Sequence, residues 1–167
     1  MWVRLRSLVP VSASEICHPG EESGDHFWGF HETESFRGRS FRWSRPLACL
    51  MIETPRSDLE ICIETDGVRR LSSSDVRVFW NGHLAKSDDA RSSEERLVFI
   101  APEAHFTDAG PQVLTLISRS LTGRHSRDSR RLGLPIFSIS FLQRVPDRDP
   151  ETVLVGDATP SSYSLRR

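Results

Sequence analysis

The sequence predicts an all-β chain: one antiparallel β-sandwich of about seven or eight strands, jelly-roll-like or immunoglobulin-like in topology. Three observations predict it. Helical periodicity is scarce. Short alternating apolar runs recur between residues 40 and 142, bounded by Gly, Pro, Asn, Asp and Ser. One of these runs ends on Asn81-Gly82, a dipeptide that accepts the positive φ angles of a type I′ hairpin turn.

Taken in order, WVRLRSLVP at residues 2–10 can add one edge strand, and residues 12–26 (SASEICHPGEESGDH) read as a polar, acidic loop. LACLMIET at residues 47–54 is a strand. In LEICIET, Leu59, Ile61 and Ile63 share one face while Glu60, Cys62 and Glu64 share the other, the pattern of a half-buried strand. DVRVFW places Val76, Val78 and Trp80 together, and past the turn the hairpin continues as HLAKS. ERLVFIAP is a strand stopped by Pro102, and in QVLTLISRSL Val113, Thr115 and Ile117 oppose Leu114 and Leu116. LGLPIFSISFL closes the set, with Pro135 placing its beginning at an edge or bulge. The divisions are residues 1–27 (edge strand and acidic loop), 28–142 (sandwich) and 143–167 (tail).

A chain of 167 residues supports one domain with a substantial core. With a formal charge of -1, no global field selects nucleic acid or an anionic membrane, so any charge-driven binding is local. No run approaches the roughly 20 apolar residues that span a bilayer. Cys17, Cys49 and Cys62 are odd in number and lie in no metal-like spacing, which fits a reduced, cytoplasmic protein.

Several signals follow one another in a fixed order. Gly29-Phe30-His31 and then Glu34 open the series, FRWS at residues 41–44 follows, Asn81-Gly82 makes the hairpin, and Asp128-x-Arg130-x-Leu132-Gly133 closes it. This series resembles the small β-sandwich accessory domains found beside or appended to bacterial glycosyltransferases, over about residues 28–142. Gly29, Phe30, His31 and Glu34 match the opening of that pattern, Phe41, Arg42, Trp43 and Ser44 its middle step, and Asp128, Arg130, Leu132 and Gly133 its closing turn. Phe30-His31 and Glu32-Thr33 stand where the family carries Trp-Tyr and prolines. The resemblance implies carbohydrate recognition or attachment to glycan-assembling enzymes, without a catalytic domain in this chain.

Asp128 and Arg130, two apart, emerge on one face of an extended segment. They either fix a corner of the sandwich, with Asp128 capping turn amides or pairing with an arginine, or the segment presents Arg130 or Arg131 to a carboxylate or phosphate ligand. Trp43 and Trp80 lie on alternating strand faces and read first as packing residues. Trp28 and Phe30, in a less regular opening, are the preferred exposed aromatic surface. The expected ligand-binding set is therefore Trp28, Phe30, Glu34, Arg42, Trp43, Asp128 and Arg130.

His18, His26, His31 and Glu32 match no metal-ligand spacing, so neither a metal nor a cofactor is assigned. A carboxylate pair of Glu34 and Asp128 is conceivable for a glycosidase, but no motif demands it. Arg37, Arg39, Arg42 and Arg45 alternate with Phe36, Phe41 and Trp43 as in single-strand binders, yet Glu32 and Glu34 offset them, and no nucleic-acid partner is assigned. The expectation is a non-catalytic module whose partner is a glycan or a glycosyltransferase. The alternative is a structural or oligomerising protein whose partner is another polypeptide or a second copy.

Overall fold

The computed structural model describes residues 11–12, 27–54, 56–66, 71–107, 110–120 and 129–144. Among them the chain is all-β, as its alternating runs dictate. The strands are β1 (Val11–Ser12), β2 (Phe27–Phe36), β3 (Arg39–Glu53), β4 (Leu59–Glu64), β5 (Val76–Trp80), β6 (His83–Leu84), β7 (Lys86–Ser87), β8 (Arg96–Ala101), β9 (Gln112–Ser118), β10 (Pro135–Ile136) and β11 (Ser138–Gln143). The larger sheet has the order β1-β3-β9-β5-β6, with β2 and β10 also paired to β3. The smaller has the order β11-β4-β8-β7. Every pairing is antiparallel except β1 with β3. No helix among the described residues is long and apolar enough to cross a membrane.

The two sheets share one core. Ala48, Leu50, Ile52, Val78, Trp80, Leu114 and Leu116 of the larger sheet join Leu59, Ile61, Ile63, Leu97, Phe99, Ala101, Ile139 and Phe141 of the smaller in a single buried cluster. Each fully buried large side chain contributes about 1.5–3 kcal/mol of transfer free energy, and together they hold the sheets face to face.

Asn81 and Gly82 adopt φ values of 49° and 84°, the hairpin turn their sequence predicts. A second such turn joins β2 to β3 through Arg37 and Gly38, at φ values of 51° and 76°. Arginine carries no turn preference, so that turn left little mark in the sequence.

Two segments differ from the expectation. HLAKS does not extend one hairpin: Leu84 pairs with Phe79 in the larger sheet, whereas Lys86 pairs with Ile100 in the smaller. Between them Ala85 is buried and its N–H donates to the Val78 carbonyl at 2.8 Å, pinning the crossover. LEICIET is covered on both faces, with Glu60 and Cys62 only 4% and 3% exposed. The cover is Arg91, on a turn held by the Asp88 N–H to the Val98 carbonyl and the Ser92 N–H to the Asp88 carbonyl. Its guanidinium reaches across the outer sheet face and grips Glu60 through both carboxylate oxygens.

The chain changes sheets again at Phe137, whose N–H donates to the Glu64 carbonyl at 3.0 Å. Pro135 sits on a short strand paired with β3, at the edge where its missing N–H costs least. Val11–Ser12 forms an edge pairing on β3, but residues 2–10, 13–26 and 145–167 lie outside the described residues.

Candidate functional site

Three of the sequence motifs meet at one corner. Gly29, at φ 82°, makes the bulge between Trp28 and Phe30 in β2, where a Cβ would stand 2.5 Å from the Leu47 carbonyl oxygen. Further along β2, Glu34 Oε1 accepts from Arg130 Nη1 at 2.6 Å. His31 Nε2 lies 3.2 Å from the Arg131 carbonyl. Ser44 is fully engaged with the closing turn. Its carbonyl accepts from Gly133 N–H at 2.6 Å, its N–H donates to the Leu134 carbonyl at 2.8 Å, and its hydroxyl accepts from Leu134 N–H at 2.8 Å. Gly133 is required there, because a Cβ would collide with the Ser44 hydroxyl and stand 2.5 Å from the Arg45 carbonyl.

Of the seven expected binding residues, the structure brings Glu34 and Arg130 into direct contact. Arg42 faces the other way: Glu34 pairs with Phe41, so Arg42 stands on the opposite face, where its Nε donates to Thr33 Oγ1 at 3.1 Å. Trp43 packs edge-on against Phe41, at 5.8 Å between ring centres. Phe41 in turn stacks on Phe137 at 4.9 Å, beneath the Arg39 guanidinium. Phe30 is half-buried against the core and meets Phe27 edge-on at 5.3 Å. The opening is strand, broken in register between Trp28 and Phe30 and again between Phe30 and Thr33. Asp128, His18 and His26 lie outside the described residues. The corner is therefore built of groups that satisfy one another.

Trp28 stands elsewhere, at the end of a row that crosses the outer face of the larger sheet. Cross-strand pairing places Trp28 beside Cys49, Cys49 beside Thr115, Thr115 beside Phe79, and Phe79 beside Leu84. Paired residues share a face, so this single row spans five strands, about 19 Å at the usual strand spacing. The neighbouring rows are Leu47, Ile117 and Arg77 on one side, and Met51 and Val113 on the other. Leu47 is 41% and Leu84 57% exposed. Trp28, Met51, Phe79, Val113, Thr115 and Ile117 are half-buried and Cys49 is buried, so the face is a contiguous, partly exposed apolar surface of the kind that marks a contact. Alternation along each strand made Val113, Thr115 and Ile117 readable as the face opposite Leu114 and Leu116. Their alignment with Trp28 and Leu84 depends on register, which no single strand contains.

The two described cysteines are chemically quiet. Burial pushes the Cys49 thiol up, against the lowering effect of a hydrogen-bond contact with Thr115 at 3.6 Å. Burial also pushes Cys62 up, and the carboxylate of Glu60, which accepts from its thiol, adds to that, while Arg96 pulls the other way. Glu60 itself experiences burial that raises its pKa, but hydrogen bonds from Arg91 and Cys62 and the charges of Arg91 and Arg96 outweigh it. The carboxyl lies below its ordinary range. Among the described residues no group of three His, Cys, Asp or Glu side chains is arranged to hold a metal ion. No protein-family model matches the chain, and no curated protein matches it.

Proposed function

We propose that the protein is a non-catalytic accessory module that docks onto another polypeptide through the outer face of its larger sheet, and that this partner is a glycosyltransferase. The observation that carries the docking reading is the row from Trp28 to Leu84, flanked by Leu47, Met51, Val113 and Ile117. These positions include no acidic side chain, and their aliphatic character suits a protein surface better than the hydroxyl-rich surface of a sugar. The charges at its ends set the partner's chemistry. Arg77 lies at one end and Glu53, two residues beyond Met51 on β3, at the other. A complementary partner therefore offers an apolar strip with a carboxylate at one end and a basic group at the other.

The choice of a glycosyltransferase rests on the motif series. The matching residues build the corner of this fold: Gly29 its bulge, Glu34 and Arg130 its ion pair, Ser44 and Gly133 its backbone knot. Motifs of that kind mark an architecture and leave its binding face free to differ.

Copurification with glycosyltransferases of the same host, paired with hydrogen exchange, tests the reading. A complex that protects amides at residues 47–51, 79–84 and 113–117, is lost in Leu47→Glu and Leu84→Glu, and persists in Glu34→Ala is the expected result. Glycan-array binding that depends on Trp28 without any protein complex overturns it in favour of carbohydrate recognition. A homodimer formed through this face, seen by light scattering, overturns it in favour of self-association.

A further inference from the structure

A recess of about 270 Å³ opens at the Arg77 end of the docking face, lined by Ser74, Asp75, Arg77, Ile117, Ser118 and Arg119. Its size falls just under the roughly 300 Å³ at which pockets for drug-sized ligands begin, so it suits a small ion or the head of a larger molecule. Arg77 pairs with Ile117, and Arg119 follows two residues later, so the two arginines are diagonal neighbours on the outer face. Neither has an acidic side chain within ion-pair distance among the described residues. By contrast, Arg39, Arg56, Arg91, Arg96 and Arg130 are all paired with carboxylates.

Ser118 enters the lining from the inward side of β9: it pairs with the core residue Val76, and its buried hydroxyl lies 2.7 Å from where a Cβ on Gly133 would stand, away from the two arginines. Asp75, the one carboxylate of the lining, already accepts from Ser72 N–H at 3.2 Å within its own turn. The Arg119 N–H donates to the Asp75 carbonyl at 3.4 Å, which ties the β9 end to that turn. The recess thus offers two forked cationic donors, with its one carboxylate bonded through Oδ2 to the Ser72 turn.

We propose that this recess is a binding site for an oxyanion, a phosphate or a carboxylate, held between the Arg77 and Arg119 guanidinium groups. Planar guanidinium forks match the oxygen spacing of both anions, and charge-assisted hydrogen bonds are about twice as strong as neutral ones. The site goes beyond the docking reading and does not require the apolar face to be occupied.

Titration of the full chain with inorganic phosphate, and separately with acetate, followed by NMR of the arginine side-chain N–H groups and the residue 74 and 118 amides, tests the site at constant ionic strength. The expected result is saturable shifts confined to Ser74, Arg77, Ser118 and Arg119. Binding weakens about ten-fold or more in Arg77→Gln and in Arg119→Gln, the loss of one charge-assisted fork, and stays unchanged in Arg39→Gln. Ser118→Ala, whose hydroxyl faces away from the arginines, leaves binding unchanged. Saturation by phosphate alone assigns a phosphoryl source, and saturation by acetate a carboxylate source. Shifts that fail to saturate, or that Arg39→Gln weakens as much as Arg119→Gln, overturn the site.

Discussion

The Glu34 carboxylate and the Arg130 guanidinium are 2.6 Å apart although 96 residues separate them in the chain. The pair ties the β2–β3 hairpin to the segment that enters β10, and both side chains remain about one-third exposed. Water screens such a pair, so its coupling amounts to about 0.2–1 kcal/mol. A double-mutant cycle of Glu34→Ala and Arg130→Ala, read by urea unfolding, is expected to show that coupling with the native fold retained. Either single variant should leave docking intact, because the corner lies apart from the outer face.

A sharper penalty is expected at Gly133. Its Cβ would press on Ser44 and on the Arg45 carbonyl, both held in the corner, so Gly133→Ala should cost about 1–3 kcal/mol or more through overpacking. Gly29→Ala combines a close approach to Leu47 with a positive φ and should fall in the same class. Gly82→Ala meets nothing within 4 Å and bears only the cost of its positive φ, roughly 1–2 kcal/mol. Unfolding midpoints that place Gly82→Ala below either of the other two contradict this ranking.

Acid stability should report Glu60. Its carboxyl is depressed in the folded protein, so the stabilisation it contributes is fully present above the unfolded carboxylate value of about 4.3 and is lost as pH falls through the lower folded value. Urea midpoints measured from pH 7 down to pH 2 should therefore drop more steeply for the wild type than for Glu60→Gln, with the difference concentrated below about pH 4.3. Arg91→Ala strands a buried carboxylate and should cost more than Arg130→Ala, whose partner is one-third exposed.

What could be read from the sequence follows the range of the forces involved. The inward faces of β4 and β9 and the Asn81-Gly82 turn are local patterns of side-chain alternation and backbone preference, and they predict the fold. Glu60 and Cys62 look solvent-facing because nothing within β4 announces Arg91, which arrives from 31 residues away. The split of HLAKS between sheets is equally silent, since two-residue strands are too short to show a period. At the candidate site, Trp28 stood out by residue type. Arg77 and Arg119 did not, because their lack of carboxylate partners is a property of the assembled surface.

The same assembled surface decides how the cysteines behave, and labelling kinetics can test it. Cys49 lies in the docking row and Cys62 beneath Arg91 and Arg96, and burial is the foremost cause that raises both thiols above the ordinary value. A thiol held protonated and shielded reacts only when the chain opens around it. In a Cys17→Ser variant, alkylation by iodoacetamide at pH 8 is thus expected to run about 100-fold or more slower than for a free thiol, and to become rapid for both residues in urea. The two should also respond differently to mutation. Arg91→Ala uncovers the outer face of β4 and should speed Cys62 while leaving Cys49 unchanged, whereas Thr115→Val removes only the Cys49 contact. Equal acceleration of both thiols by Arg91→Ala would show that Arg91 supports the whole sandwich instead of covering one face of one strand.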